Sequence, residues 1–302
     1  MMIFGNQSII QRGLFMLNNL KNIKLGKIIF ITSLLFITSC STTFAYNNLG
    51  WLSSFWIDDY VDLNKSQSKQ LKAIINDTRD WHREVELPKY KADLLDLRQL
   101  LNNEADTAQL MDKITQVKQH WRNLLLHTSD PLIELALTLT PSQRSEMVEN
   151  IREQINDEIQ EHASLTKEEH QQQRLERQLD YYKQWLGKLT SEQQTLISQA
   201  NSGHISTSDL WYDYKLTRLA ALEALFSQQT LSEAEFTQEL HTIITEREQY
   251  MSNELLEQNE QNLKAYAHLL LKLNKTLSVK QLAHVDEEFA DLVGTVNDLL
   301  TD

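Results

Sequence analysis

Apolar residues recur at helical spacing along most of the chain, with polar and charged residues between them. The first such stretch has apolar side chains at Trp51, Leu52, Phe55, Trp56, Tyr60 and Leu63. Side chains three and four residues apart share one face of an α-helix, so this spacing predicts an amphipathic helix from Trp51 onward. A second helix is predicted from about Ser66 to Leu101, with a kink near Pro88 because proline removes a backbone hydrogen bond.

A repeated motif, Leu-[Ser/Thr]-x-x-[Gln/Glu], predicts where later helices start. In each copy the hydroxyl accepts a backbone N–H three residues on, and the Gln or Glu accepts the N–H of the capping residue. A weaker copy begins at Leu63. The predicted capping residues are Thr140, Thr166, Thr190, Ser232 and Ser278.

These starts complete the helix prediction. The remaining predicted helices cover about 107–128, 131–139, 141–163, 167–189, 191–201, 207–228, 233–273 and 279–300. The copies lie at irregular intervals, which excludes a regular solenoid, and no linker rich in Gly, Pro or Ser divides the chain. The pattern predicts an all-α fold, an irregular bundle of long helices with helical-hairpin packing, in a single domain over 49–302.

The composition agrees with a helical protein, and the net charge limits the classes of partner that it can bind. The chain has only seven glycines and three prolines, and 41% of its residues are apolar, enough for a core. All 42 acidic residues follow Cys40, but only 25 basic residues do. The chain after Cys40 therefore has a formal charge of −17. Such a surface repels nucleic acid, so we expect no nucleic-acid partner. One cysteine excludes an internal disulfide and a cysteine-based zinc site.

The first 39 residues have the order of a secretory signal peptide. Three lysines (Lys21, Lys24 and Lys27) precede an apolar run from Ile28 to Ile37. That run is about half the length that a membrane-spanning helix needs, which disfavours a simple transmembrane anchor. Met16 would start a signal of ordinary length, so it is an alternative start.

The segment Ile37-Thr38-Ser39-Cys40 resembles the lipobox of bacterial prolipoproteins. The resemblance implies that Cys40 becomes the acylated first residue, a palmitate-type modification, followed by a short polar tether to residue 48. The alternative is a plain signal peptide cut near a cysteine, which would leave an unpaired thiol in an oxidising compartment. Ser41 resembles the second residue of enterobacterial lipoproteins sent to the outer membrane. We therefore expect a lipid-anchored protein on the periplasmic face of the outer membrane, with the inner membrane as the alternative.

The segments around Trp51, Asp58 and Trp81 resemble an uncharacterised proteobacterial lipoprotein family known only as a domain of unknown function. The residues that carry the resemblance are Tyr46, Trp51, Trp56, Asp58, Asp59, Tyr60, Asp62, Trp81, His82, Glu86, Pro88 and Tyr90. It implies a helical lipoprotein and no activity. The capping motif also resembles, more weakly, the L-T-x-x-Q motif of small all-helical periplasmic stress chaperones.

Three groups of residues are candidate sites. The aromatic set Trp51, Phe55, Trp56 and Tyr60 fits either the membrane interface or, as we expect, the core. The acids Asp58, Asp59 and Asp62 fit a cation or acid/base site or, as we expect, a solvated helix end. The pairs His82–Glu86 and Glu158–His162 have the spacing for half a metal site, but we expect no metal, because no Glu-x-x-His pair accompanies them. For His82, Glu86 and their neighbours we expect instead a structural role at the kink.

The chain lacks a Gly-rich phosphate loop, a G-x-S-x-G motif and an H-E-x-x-H motif. We therefore expect no enzyme and no cofactor. The leading hypothesis is a membrane-anchored helical interaction module with a chaperone-like or envelope-maintenance role and an envelope protein as partner. The alternative is an envelope-acting enzyme that uses acidic residues near the N-terminal helices, together with His82.

Overall fold

The protein is described by a computed structural model that covers residues 38–103, 105–228 and 230–301. Residues 1–37, which hold the basic and apolar parts of the predicted signal peptide, lie outside the described residues. The chain divides into two compact units, Met1–Phe44 and Ala45–Asp302. Within the described residues no helix is both long enough and apolar enough to cross a bilayer.

Helices account for nearly all of the described residues, and no strand occurs among them. This confirms the predicted all-α fold. The helices are α1 (Thr38–Asn47), α2 (Leu49–Ile57), α3 (Lys65–Trp81), α4 (Leu87–Asn102), α5 (Thr107–Leu137), α6 (Pro141–Ala163), α7 (Lys167–Leu186), α8 (Ser191–Ser202), α9 (Ser208–Ser227), α10 (Glu233–Thr245), α11 (Asn253–Lys275) and α12 (Val279–Thr301). The segment after Cys40 is thus helical up to Asn47, which gives it a shorter reach than an extended tether of the same length.

The predicted helix with a kink near Pro88 contains a π-helical bulge. A π-helix over His82–Glu86 joins α3 to α4, and the N–H of Leu87 bonds to the carbonyl of His82, five residues back. Pro88 follows at once and has no N–H to donate. A bulge of this kind changes which side chains share a face, and π-bulges are frequent at functional sites.

The prediction of two helices over 107–128 and 131–139 is wrong, because α5 runs unbroken through Pro131. Two buried hydroxyls next to the proline bond to carbonyls of the preceding turn: Thr128 donates to Leu124 and Ser129 to Leu126. Buried neighbours of this kind let a helix tolerate proline when its packed face holds it in place.

The prediction of one helix over 233–273 is also wrong. Helix α10 ends at Thr245, a 3₁₀ helix follows over Arg247–Tyr250, and α11 begins after Ser252. Ser252 caps α11 by accepting the N–H of Leu255 at 3.1 Å. The apolar spacing continues through this break, which is why periodicity alone did not reveal it.

All five predicted capping residues lie immediately before a helix. Thr140, Thr166, Thr190 and Ser232 each accept the N–H three residues on, and the Gln or Glu there accepts the N–H of the capping residue. Ser278 forms the same two bonds with Gln281. Asn64, in the weaker copy, also forms a complete capping box.

Glutamines of these capping boxes also join helices to one another. Gln193 and Gln281 exchange amide hydrogen bonds of 3.2 and 2.9 Å, so that the start of α8 contacts the start of α12. Gln193 also donates to the carbonyl and hydroxyl of Thr276, and Gln281 donates to the carbonyl of Lys188. We call this arrangement a glutamine pair.

A second glutamine pair has the same pattern. Gln67 of α3 and Gln143 of α6 exchange bonds of 3.1 and 2.8 Å. Gln67 donates to both oxygens of Thr138, and Gln143 donates to the carbonyl of Asp62. The motif therefore both starts individual helices and fixes two pairs of helix ends against each other.

Buried apolar side chains fill the spaces between the helices. One cluster joins α7, α8 and α11 through Tyr182, Leu186, Leu189, Ile197, Leu269 and Leu273. Another joins α5, α9 and α10 through Ile133, Leu225, Phe236, Leu240 and Ile243. A third packs Ile57 of α2 and Leu63 against Leu71, Ile74 and Leu135, which attaches α2 to α3 and α5.

Candidate functional site

A buried charged network forms where the π-helix meets α4 and α5. Its centre is Glu86, whose side chain has no exposed surface. One carboxylate oxygen of Glu86 accepts from Lys89 at 2.7 Å and from Asn123 at 3.1 Å. The other lies 2.6 Å from Nδ1 of His120, which is itself buried. Both oxygens of this buried acid are therefore paired.

His120 lies between two acids. Its Nε2 is 2.7 Å from Asp93, on the opposite side of the ring from Glu86. Each ring nitrogen of His120 therefore faces a carboxylate oxygen, so both nitrogens have a hydrogen-bond partner within the protein. The resulting group joins two acids, Glu86 and Asp93, to His120 and Lys89. We refer to these four residues and Asn123 as the His120 network.

The network keeps Glu86 ionised. Burial on its own would raise the pKa of Glu86, but the hydrogen bonds from Lys89, His120 and Asn123 outweigh it and hold the pKa below its ordinary value. Glu86 is therefore a charged group of the folded state and not a protonated acid ready to give up a proton.

Two tyrosines and a second histidine cover the network. Tyr90 packs edge-on against His82 and His120, with ring centroids 5.3 and 4.3 Å apart. The Tyr46 hydroxyl lies 2.9 Å from Nδ1 of His82 and donates to the carbonyl of Arg79. Burial lowers the pKa of His82 and raises the pKa of Tyr46 to about 12, so both side chains are neutral near pH 7.

The same region holds the C-terminal end of α1. Arg79 donates to the carbonyl of Asn47 at 2.7 Å, and Arg83 bonds to the Asn47 side chain. The guanidinium of Arg83 also lies over the Tyr46 ring, 5.3 Å from its centroid. Tyr46 and Asn47 are therefore fixed on α3 and the π-helix.

These contacts limit the chemistry of the network. Both nitrogens of His120 and both oxygens of Glu86 are used within the network, so neither group has a free position with which to take a proton from a substrate. Among the described residues, no group of three or more His, Cys, Asp or Glu side chains could hold a metal ion. The geometry is that of a structural hydrogen-bond network that connects α4, α5 and the π-helix.

The other candidate acids lie apart from this network. Asp58, Asp59 and Asp62 are exposed. Their segment meets α6 through backbone carbonyls: Asp59 accepts from Gln154 and Asp62 from Gln143. The placement fits the expected solvated end of a helix.

The residues of the second spaced pair, Glu158 and His162, each contact a residue outside the pair. Glu158 bonds to Lys215 of α9, and His162 stacks on His170 with ring centroids 4.0 Å apart. Trp81, the remaining ring of the family-like motif, stacks on His127 at the same distance. These rings and charges connect neighbouring helices.

The expectation that the aromatic set belongs to the core is wrong. Trp51, Phe55 and Trp56 are 50, 57 and 44% exposed, and only Tyr60 of the set is partly buried. The buried residues of α2 are instead Gly50 and Ser53, and the partly buried Ile57 packs against the cluster of Leu71, Ile74 and Leu135. We call Trp51, Phe55 and Trp56 the aromatic face of α2.

The sequence pattern did not single out His120, Asp93, Lys89 or Asn123 as site residues. Lys89 and Asp93 of α4 follow Glu86 of the π-helix at helical spacing, and His120 and Asn123 have the same spacing on α5. Each of these two segments alone therefore shows a polar stripe. Nothing in the spacing shows that the two stripes face each other. That contact depends on how α4 and α5 pack.

Comparison with known proteins identifies a family but no activity. A family model described as a family of unknown function (DUF6279) matches residues 59–256, which include the whole His120 network. No curated protein and no solved structure matches the chain.

Proposed function

Because the chain belongs to the family of unknown function DUF6279, we propose its function from its own residues. It acts as a membrane-anchored periplasmic lipoprotein, a helical interaction module with a chaperone-like or envelope-maintenance role. The anchor is the acylated Cys40. The interaction surface is carried by the helices that the His120 network holds together.

One observation carries this proposal: α5 has one face fixed by the network and exposes large apolar side chains beside it. His120 and Asn123 bond to Glu86, whereas Val117 and Trp121 are 39 and 47% exposed. Val117 and Trp121 are four residues apart and so adjoin on the helix. An exposed tryptophan on a rigid element is typical of a surface that binds another protein.

The anchor is tested by labelling with a fatty-acid analogue. The wild-type chain should incorporate the label, and Cys40→Ser should abolish incorporation and leave unprocessed precursor, because the thioether to lipid needs that sulfur. Ser41→Asp should keep the label but move the protein to the inner membrane. Label on the Cys40→Ser protein would refute the anchor, and equal distribution of the Ser41→Asp and wild-type proteins would refute the sorting.

The interaction surface is tested by site-specific photocrosslinking in cells. A photoreactive residue at Trp121 should give a discrete crosslinked species. The same residue at Gln119 should not, because Gln119 is exposed but points about 200° away around the helix. Equal crosslinking at both positions would show non-specific contact and would contradict a defined surface on α5.

The chaperone-like role is tested by an aggregation assay. Residues 41–302, produced without the signal peptide and Cys40, should suppress aggregation of an unfolded client at equimolar ratio or below, and Trp121→Ser should weaken the effect. Basic clients should benefit most, since an acidic surface attracts them at long range. If clients of differing charge all aggregate as they do alone, the chaperone-like role is excluded and a role in binding folded envelope proteins remains.

A further inference from the structure

The region around α2 differs from the rest of the chain in its charge. No Asp, Glu, Lys, Arg or His occurs from residue 28 to residue 57, although acidic residues are abundant after that point. Helix α2 ends this uncharged stretch, and its aromatic face is exposed. The rings of Trp51 and Phe55 pack edge to face, with centroids 4.9 Å apart, so they form one continuous apolar surface.

The opposite face of α2 is firmly attached to the body. Gly50 is buried so closely against α3 that a Cβ at this position would lie 2.3 Å from Oδ1 of Asn76. Ser53 is buried, and Ile57 packs into the cluster of Leu71, Ile74 and Leu135. Because this stripe is packed, the aromatic face is held outward.

The site of lipid attachment is close to the aromatic face along the chain. Tyr46 follows Cys40 by six residues and is fixed by its contacts with His82 and Arg79. Six residues reach at most about 22 Å even when fully extended. An acyl chain on Cys40 therefore keeps this part of the body within about 22 Å of the bilayer.

We propose that the aromatic face of α2 inserts into the headgroup layer of the phospholipid bilayer that holds the lipid on Cys40. The inference rests on the proposed function, since it takes Cys40 to be acylated. Tryptophan rings favour the boundary between headgroups and acyl chains, where one edge is apolar and the N–H is hydrated. Insertion would fix the orientation of the helical body on the membrane.

Charge favours this surface over the rest of the molecule. The mature chain carries a formal charge of −17, and acidic surfaces are repelled by anionic lipids. An uncharged aromatic surface can enter the interface without bringing charged groups out of water. The contact should therefore form on zwitterionic lipid and should not require anionic lipid.

The test measures tryptophan fluorescence of the processed full-length lipoprotein in phosphatidylcholine vesicles. The vesicles carry bromine on the acyl chains, either near the headgroups or near the chain ends, because bromine quenches only nearby tryptophans. The variant Trp51→Phe/Trp56→Phe removes the reporters of the aromatic face. Trp121→Phe is the matched control, because Trp121 is 47% exposed but lies on α5.

Quenching of the wild type should be strongest with bromine near the headgroups. It should fall to the level of vesicles without bromine in Trp51→Phe/Trp56→Phe and persist in Trp121→Phe. The inference is overturned if the wild type is not quenched, if Trp121→Phe abolishes the quenching, or if quenching appears only after anionic lipid is added. Mass spectrometry of the same samples separates the two proposals: acylated protein without quenching refutes membrane insertion alone, whereas unacylated protein refutes the proposed anchor.

Discussion

At the scale of single residues, the most constrained side chain of the candidate site is Glu86. It has no exposed surface, yet it is ionised, because Lys89, His120 and Asn123 all donate to it. Burying a charge is unfavourable unless its hydrogen-bonding capacity is filled. Glu86, one of the residues that carry the family resemblance, therefore has a structural role: it connects the π-helix to α5.

Removing this acid should strongly destabilise the fold. We expect Glu86→Ala to lower the free energy of unfolding by roughly 3–5 kcal/mol, because it breaks a buried pair and leaves Nδ1 of the buried His120 without its acceptor. Glu86→Gln should cost less, since the amide oxygen still accepts from Asn123. Denaturant unfolding of the purified protein measures both effects.

The control for this prediction is Glu84→Ala in the same π-helix. Glu84 is exposed, so its loss should change stability by no more than about 0.5 kcal/mol. Equal losses for the alanine variants at 84 and 86 would mean that the His120 network does not stabilise the protein.

The sequence identified part of this site and could not identify the rest. Resemblance to the family singled out His82, Glu86 and Tyr90, which do lie together. His120 follows Glu86 by 34 positions, and its contact with Glu86 exists only because α4 and α5 pack side by side. A charged residue at helical spacing looks the same whether it faces water or a partner helix, so the pairing could not be read from either helix alone.

At the scale of helices, the capping motif predicted five of the seven α-helix starts that the structure describes from Pro141 onward. Local chemistry determines these starts, because the hydroxyl and the Gln or Glu satisfy N–H groups within four residues. The breaks were predicted less well. Pro131 lies inside α5, and α10 and α11 are separate, because tertiary packing and not local preference decides both cases.

The glutamine pairs add a coupling between helices that single capping boxes lack. Gln193→Leu or Gln281→Leu alone removes one hydrogen-bond partner from the buried amide of the other residue, whereas the double variant removes both amides. We expect the double variant to lose less stability than the sum of the singles, with a coupling of about 0.5–3 kcal/mol measured by a double-mutant cycle.

The matched control combines Gln193→Leu with Gln67→Leu, which belongs to the other glutamine pair. These two losses should add to within about 0.5 kcal/mol, because the residues share no partner. Additive losses for Gln193 and Gln281 as well would show that the amide exchange contributes nothing beyond the caps.

The attachment of α2 to α3 is predicted to depend on Gly50. Gly50→Ala would push the Asn76 side chain out of its place, since the new Cβ would lie 2.3 Å from Oδ1. We expect lower stability than wild type in thermal unfolding. Gly294→Ala, in a helix with no atom within 4 Å of the new Cβ, should instead gain about 0.5–1 kcal/mol because alanine favours helix over glycine.

A third variant isolates the contact. Gly50→Ala/Asn76→Ala should recover most of the stability that Gly50→Ala loses, because the obstructing side chain is gone. If Gly50→Ala stabilises the protein as much as Gly294→Ala does, the close approach of α2 to α3 is not a constraint.

At the scale of the whole molecule, folding suppresses the protonation of two partly buried histidines, His204 and His82. Burial, with a smaller contribution from the nearby charge of Arg174, lowers the pKa of His204 from its ordinary 6.5 to about 4. Burial lowers the pKa of His82 as well. The unfolded chain binds these protons first, so stability is complete above pH 6.5 and falls as the pH drops toward 4.

We therefore expect His204→Gln to lose less stability than the wild type between pH 6.5 and pH 4, and to behave like the wild type at higher pH. The reason is that glutamine takes up no proton in either state, so its contribution to stability does not change with pH.

Glu86→Gln should change the pH dependence of stability in a lower pH range. The pKa of Glu86 lies below its ordinary 4.5, so removing this charge reduces the loss of stability with falling pH only below about pH 4.5. Denaturant unfolding of the three proteins at a series of pH values measures both windows. Parallel curves for His204→Gln and the wild type down to pH 4 would show that His204 is protonated as readily in the folded protein as in the unfolded chain, contrary to its position beside Arg174.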